Sequence, residues 1–176
     1  MHKIKVINNF ISDEDCKKAI YYIQSGTNTM FKDNLLAEVL NDSKESLSFI
    51  KKYSDKALAA HKKEYNLNIP LYTFEGFLTT WNTGAEAPLH NDNHPKAEFV
   101  QLTTVVYLND DYEGGIIYFP EFEFSHKPQK GDAIIFPSFS KDYEYKHGVT
   151  KITDGIRYTV ALWHTSHEEH ADKNLN

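Results

Sequence analysis

The residues with the clearest chemical potential are His90 and Asp92, separated by Asn91. In extended backbone, alternate side chains point to the same face, so an imidazole and a carboxylate would converge on one point. Two ligands leave a metal site incomplete, and a third must come from a downstream strand. Two regions supply histidines: His147, and a terminal cluster of His164, His167 and His170. His167-Glu-Glu-His170 superficially resembles a zinc-binding helix, but its histidines are three apart where one helical face requires four. That cluster reads as solvated tail, and His94 and His126 read as surface loop residues. His90, Asp92 and His147 remain. Two imidazoles and one carboxylate leave three coordination positions open, which suits non-haem Fe(II) when a co-substrate and oxygen must share the metal. Ten residues beyond His147 stands Arg157, a permanent cation whose planar fork matches a carboxylate. On the next strand it could anchor the far carboxylate of a dicarboxylic co-substrate, with the Tyr107 hydroxyl donating to the same group. Blander readings stay open. A lone His-x-Asp often arises by chance, Arg157 could pair with Asp154, and Tyr107 could be core with its hydroxyl satisfied.

The elements that would position these residues come in two stretches. Ile4–Ile7 reads as a short strand. Ser12 with Asp15 three residues on is a capping pattern that opens a helix carrying Cys16, Ala19, Ile20 and Ile23 on one stripe, stopped by Gly26. Residues 27–41 are ambiguous. Asn41-Asp-Ser43 caps a longer helix to about Asn66, with Leu47, Ile50, Leu58 and His61 on one face and His61 partly buried. From Ile69 the pattern changes to short strands rich in β-branched and aromatic residues: Leu71–Trp81, Phe99–Leu108, Ile116–Phe119, Ala133–Phe136 and Ile156–Trp163, separated by Gly, Pro, Asn and Asp. Helices followed by many short strands predict an α+β chain whose β part is a sandwich or jelly roll. The expected organisation is one domain over 1–176, with helical support in 1–68, a jelly-roll core in 69–165 and a polar tail in 166–176.

Composition narrows the function classes. The 176 residues are 40% hydrophobic and 25% charged, with a formal net charge of −6 and no basic run. That balance argues against a protein that neutralises many phosphates of a duplex. A single cysteine, Cys16, rules out an intrachain disulfide and a cysteine-ligated structural zinc. No apolar run reaches the roughly 20 residues of a membrane span, and the first residues are not followed by a signal-peptide core. The expected setting is cytoplasmic and reducing.

Read as linked blocks, the chain resembles the 2-oxoglutarate and Fe(II)-dependent oxygenases of the prolyl 4-hydroxylase type. Trp81 to Asp92 matches an aromatic-x-x-Gly…His-x-Asp block. Tyr107-Leu-Asn109 with Gly114-Gly-Ile-Ile-Tyr-Phe-Pro120 matches a strand followed by a Gly-Gly block. Pro128-Gln-Lys-Gly-Asp-Ala-Ile-Ile-Phe136 and His147 to Tyr158 match the two distal blocks, a Trp six residues past the anchoring Arg recurs as Trp163, and Val6 to Asp15 resembles the family's first strand and helix. Three features depart from the pattern. Trp81 stands where Tyr is common, Ile116-Ile117 where Glu and Thr usually follow the two glycines, and no recognition domain is attached. An Arg at position 157 is the oxygen-sensing style; the collagen type uses Lys.

The resemblance implies a double-stranded β-helix (a cupin-like jelly roll) with N-terminal helices packed on one sheet. It implies Fe(II) held by His90, Asp92 and His147, and 2-oxoglutarate gripped by Arg157 with Tyr107, next to Trp81, in an interior formed around Val105, Ile135 and Val160. Trp163 would line the site, and residues 27–41 and 93–98 would be substrate-covering loops. Oxygen would be the second co-substrate and ascorbate a supporting reductant, with no catalytic residue beyond the metal ligands. The activity implied is a dioxygenase converting 2-oxoglutarate to succinate and carbon dioxide while hydroxylating an unactivated C–H bond, foremost of a prolyl residue in a peptide or protein. The same chemistry on another amino acid or a small molecule stays open, as does a non-catalytic cupin-like metal-binding protein.

Overall fold

The computed structural model describes residues 4–25, 29–32, 36–39, 43–93, 98–138 and 143–176, with the backbone alone at 29–32 and 36–39. In chain order the elements are β1 (Lys5–Ile7), α1 (Asp13–Ser25), β2 (Thr29–Lys32), β3 (Leu36–Val39), α2 (Lys44–Tyr65), β4 (Tyr72–Trp81), β5 (Ala87–His90), β6 (Leu102–Tyr107), β7 (Glu113–Gly114), β8 (Ile117–Phe119), β9 (Phe124–His126), β10 (Ala133–Pro137), β11 (His147–Val149), β12 (Ile152–Asp154) and β13 (Arg157–Thr165).

Both helices start where their caps predict. Ser12 Oγ accepts from the Asp15 amide at 3.2 Å, and three acidic residues in the first turn of α1 complement its dipole. Ser43 accepts from the Ser46 amide at the start of α2, and Asn66 ends that helix in the left-handed region, φ 53°. The buried face of α2 is carried by Phe49, Ile50, Tyr53, Ala57 and His61; Leu47 and Leu58 lie at its margins. His61, expected partly buried, is wholly enclosed.

The strands form a seven-stranded sheet, order β1-β10-β6-β13-β4-β3-β2, and a four-stranded sheet, order β5-β11-β8-β9, with β12 and β7 paired separately. All the pairings are antiparallel. This is the expected α+β jelly roll with helices on one sheet. The region before Ile69 supplies more than helices. β1 borders β10, and the β2–β3 hairpin extends the large sheet beyond β4, so part of the stretch read as ambiguous is sheet.

The period of two divides each strand of the large sheet between two environments. On β13, Val160 and Leu162 join Ile50, Leu78 and Val106 in the core beneath the helices. Arg157, Thr159, Ala161 and Trp163 face the cavity between the sheets. Inter-sheet packing is aromatic: Tyr107, Phe119 and Phe136 with Ile117 and Ile134. Burying one such side chain contributes about 1.5–3 kcal/mol. Two residues expected around the co-substrate therefore move to the other face. Val160 lies three positions from Arg157, hence opposite it, and belongs to the helix-side core; Ile135 lies between Ile134 and Phe136, which face inward.

The C-terminal stretch is docked where fraying was expected. Leu175 is buried in the helix-side core. The Asn176 side chain brackets Thr73, accepting from its amide and donating to its carbonyl, each at 2.8 Å. His164 is buried on β13, His170 stacks on Phe99 with ring centroids 3.8 Å apart, and His167 is exposed. The solvated-tail reading holds for His167 alone. His126 is likewise no loop residue: it ends β9, with Nε2 3.8 Å from Asp132 Oδ2. His94 and most of 93–98 lie outside the described residues.

Candidate metal centre

β5 and β11 pair so that His90 and His147 are cross-strand neighbours, with ring centroids 4.4 Å apart. Each ring is fixed by the carbonyl two residues before it. His90 Nδ1 lies 2.8 Å from Pro88 O, and His147 Nδ1 lies 3.1 Å from Tyr145 O. A carbonyl only accepts, so both Nδ1 atoms carry the proton and both Nε2 atoms keep the lone pair. Those Nε2 atoms stand 3.6 and 3.9 Å from Asp92 Oδ1, and the three candidate donor atoms lie within 4.8 Å of one another. Such a set suits a divalent metal held on one face with other positions left open. The backing is apolar and aromatic: Phe119 stacks on His147, and Phe136 meets it edge-on at 4.7 Å.

The environments of the three differ. The bond that a protonated His90 would donate to Asp92 raises the imidazole above its ordinary value. Burial is the main cause that lowers His147. Burial alone would push the Asp92 carboxyl up, but the imidazoles of His90 and His147, which favour the carboxylate when protonated, and the bond from Thr103 together hold it below the usual carboxylate range. Asp92 is thus ionised at neutral pH, and His147 is neutral, the form a ligand needs. Thr103 Oγ1 donates to Asp92 Oδ2 at 2.6 Å and lies 2.6 Å from Ser138 Oγ.

The same cavity, about 200 Å³, is lined by His90, Asp92 and His147 and also by Trp81, Tyr107, Trp163 and Arg157. Arg157 is 2% exposed. Its guanidinium lies 4.3 Å from the Trp81 ring centroid and 5.7 Å from that of Tyr107. Its one hydrogen bond runs from Nη1 to Gly115 O at 3.5 Å, and Nε has no partner among the described residues. Asp154 is exposed and forms no pair with it, which removes the salt-bridge reading. Tyr107 is wholly buried, and its hydroxyl has no partner among the described residues, which removes the satisfied-core reading. A buried, unpaired cation is costly unless an anion joins it. This arrangement fits a carboxylate ligand.

Sequence reasoning missed three contributors. Thr103, on β6, and Ser138, just past β10, are ordinary hydroxyl residues without their partners. The hydroxyl of Tyr112 is also buried, with no partner among the described residues; the phenol packs against Gly115, where an added Cβ would lie 2.8 Å from its ring. The position of Trp81 was legible but its role was not. Its Nε1 donates to Thr79 Oγ1 at 3.2 Å, so it offers Arg157 a ring face while its N–H is spent elsewhere. Of the two isoleucines after the glycines, only Ile117 lines the cavity.

Residues 76–165 match the model of the 2OG-Fe(II) oxygenase superfamily, and the chain belongs to that superfamily. Prolyl 3-hydroxylase 1 from Gallus gallus is 35% identical over 94 residues, covering 51% of this chain and 13% of the relative. The chain thus spans about an eighth of that curated relative's length. Two solved structures share the fold. A viral collagen prolyl hydroxylase from Paramecium Bursaria Chlorella virus-1 in complex with 2OG has a TM-score of 0.71 at 20% identity, covering 94% of this chain and 97% of that one. A prolyl hydroxylase in complex with a hypoxia inducible factor oxygen degradation domain peptide fragment, from Trichoplax adhaerens, has a TM-score of 0.69 at 17% identity, covering 97% and 86%.

Proposed function

We propose that this chain hydroxylates prolyl residues in a protein or flexible peptide, with Fe(II) held by His90, Asp92 and His147 and 2-oxoglutarate anchored by Arg157 and Tyr107. The observation that carries the reading is the unpaired, buried guanidinium of Arg157 in the same cavity as the three donor atoms. A metal site alone serves many ends, but one facing a buried cation calls for a ligand that chelates the metal and ends in a carboxylate. When bound, Fe(II) and 2-oxoglutarate would activate dioxygen as the oxidant, one oxygen atom ending in succinate as carbon dioxide leaves and the other in the hydroxylated product. The chain's own contribution is to fix the imidazole tautomers through Pro88 and Tyr145, to neutralise the distal carboxylate at Arg157, and to line the cavity with Ile117, Ala161 and Trp163 so that water is kept from the reacting bond. The prolyl substrate is supported by the names its relatives carry. Oxygen as second co-substrate, ascorbate as reductant and a reducing cytoplasmic setting belong to the same reading; Cys16, a buried free thiol, is consistent with the last.

The test is succinate release with Fe(II), 2-oxoglutarate and a library of proline-containing peptides, with mass analysis for products heavier by one oxygen atom. Turnover of another amino acid or of a small molecule instead would overturn the prolyl substrate and keep the chemistry. Absence of succinate under every condition, with metal bound, would favour a non-catalytic cupin-like role.

A further inference from the structure

We infer that Thr103 and Ser138 form a directed hydroxyl relay that keeps Asp92 a one-oxygen metal ligand and so sets how many coordination positions stay open. The direction follows from donor arithmetic. A carboxylate that ligates a metal only accepts, so the single Thr103 proton goes to Asp92 Oδ2 at 2.6 Å. The hydroxyl of Thr103 is then spent as a donor, and the 2.6 Å contact with Ser138 must be a bond donated by Ser138. Thr103 is 1% and Ser138 3% exposed, so no bulk water competes for these bonds.

The fold holds the relay rigidly. Thr103 lies on β6 opposite Phe136 of β10. One residue beyond β10, Ser138 is tied back by its amide to Gln101 O at 2.8 Å. Asp92 belongs to neither strand; it follows β5 of the other sheet, so the Thr103 bond is what fastens the carboxylate to the large sheet. With Oδ2 engaged there, Oδ1 is left facing both Nε2 atoms. A carboxylate free to rotate could give both oxygens to the metal and close a position that a chelating keto acid or oxygen needs. Thr103 and Ser138 are positioning residues, and they act on the metal only through Asp92. The inference rests on the metal-site part of the proposed function and is independent of the substrate.

The experiment is Co(II) titration of the full chain, read by visible absorption, for wild type, Thr103→Val, Thr103→Ser and Ser138→Ala. Thr103→Val is expected to bind Co(II) about 10–100-fold more weakly, the usual cost of losing a partner of a metal ligand, with altered intensity of the ligand-field bands. Thr103→Ser, which keeps the hydroxyl, is expected to restore both. Ser138→Ala leaves Thr103 in place and is expected to show a smaller loss, which keeps the test open should Thr103→Val fail to fold. Wild-type affinity and spectrum in Thr103→Val would overturn the relay. So would a loss that Thr103→Ser does not restore, since that assigns the effect to packing. Failure of the wild type to bind Co(II) would overturn the metal site itself, and the relay with it.

Discussion

Arg157 is a group whose partner must come from outside the chain. Among the described residues it has ring faces on two sides and one long hydrogen bond. Replacing it with Gln should therefore weaken 2-oxoglutarate binding by at least about 30-fold, taking 2 kcal/mol as the lower end for truncating one partner of a buried charge pair. Calorimetric titration of the metal-loaded protein checks this, and Co(II) affinity should stay near wild type because Arg157 touches none of the donor atoms. Lys in its place should recover little, since a point charge cannot reproduce the planar fork stacked on Trp81. At this scale the sequence was informative where chemistry constrains residue type. A permanent cation ten residues past a histidine, and a His-x-Asp pair on extended chain, have few other uses together. Thr103, Ser138 and Tyr112 were illegible for the opposite reason. A hydroxyl on or beside a strand has many ordinary uses, and only its neighbours in the fold reveal which one it serves.

The packing of α2 on the large sheet contains a polar chain that strand alternation alone does not disclose. His61 Nε2 lies 2.9 Å from Thr104 Oγ1, which lies 3.1 Å from His164 Nε2; His164 Nδ1 lies 3.1 Å from Thr73 Oγ1, and Thr73 reaches Ser54. Burial lowers His61 to about 3 and holds His164 well below its ordinary value. Both are neutral in the folded state, whereas unfolded histidine titrates near 6.5. A depressed folded-state value means stability is fully present above about pH 6.5 and is lost as pH falls below it, because only the unfolded chain takes up the proton. At pH 5.5 the loss should be roughly 1 kcal/mol for each of the two. Urea unfolding between pH 7.5 and 5.5 measures the slope, and His61→Leu should flatten it. His164 was placed with the tail because it sits among polar residues in sequence. Counting by twos from Leu162 would have put it on the helix-side face. The β2–β3 pair escaped notice for another reason: Thr29–Lys32 and Leu36–Val39 are short, mixed in polarity, and become sheet only because β3 pairs with β4 and β2 with β3.

Over the whole molecule, the last residues close the fold. Leu175 fills a place beside Gly76 and Ile50, and Asn176 completes the backbone bonds of Thr73. Leu175→Ala should cost about 2–5 kcal/mol, the range for a buried Leu truncated to Ala, measurable as a drop in the denaturation midpoint with an unchanged slope. The two cores should also respond differently to the metal. Among the described residues β5 pairs with β11 alone, an edge strand of four residues in the smaller sheet. His90 at its end, His147 opposite and Asp92 just past it are the candidate ligands. A metal ion there is a latch across that free edge as well as a reagent. Stripping it with a chelator should speed amide hydrogen exchange over 87–92 while leaving β6 and β13 protected; equal exchange with and without metal would contradict the latch. The site would then come apart from its rim inward, so that iron supply governs whether the cavity has a wall as well as whether it has a catalyst.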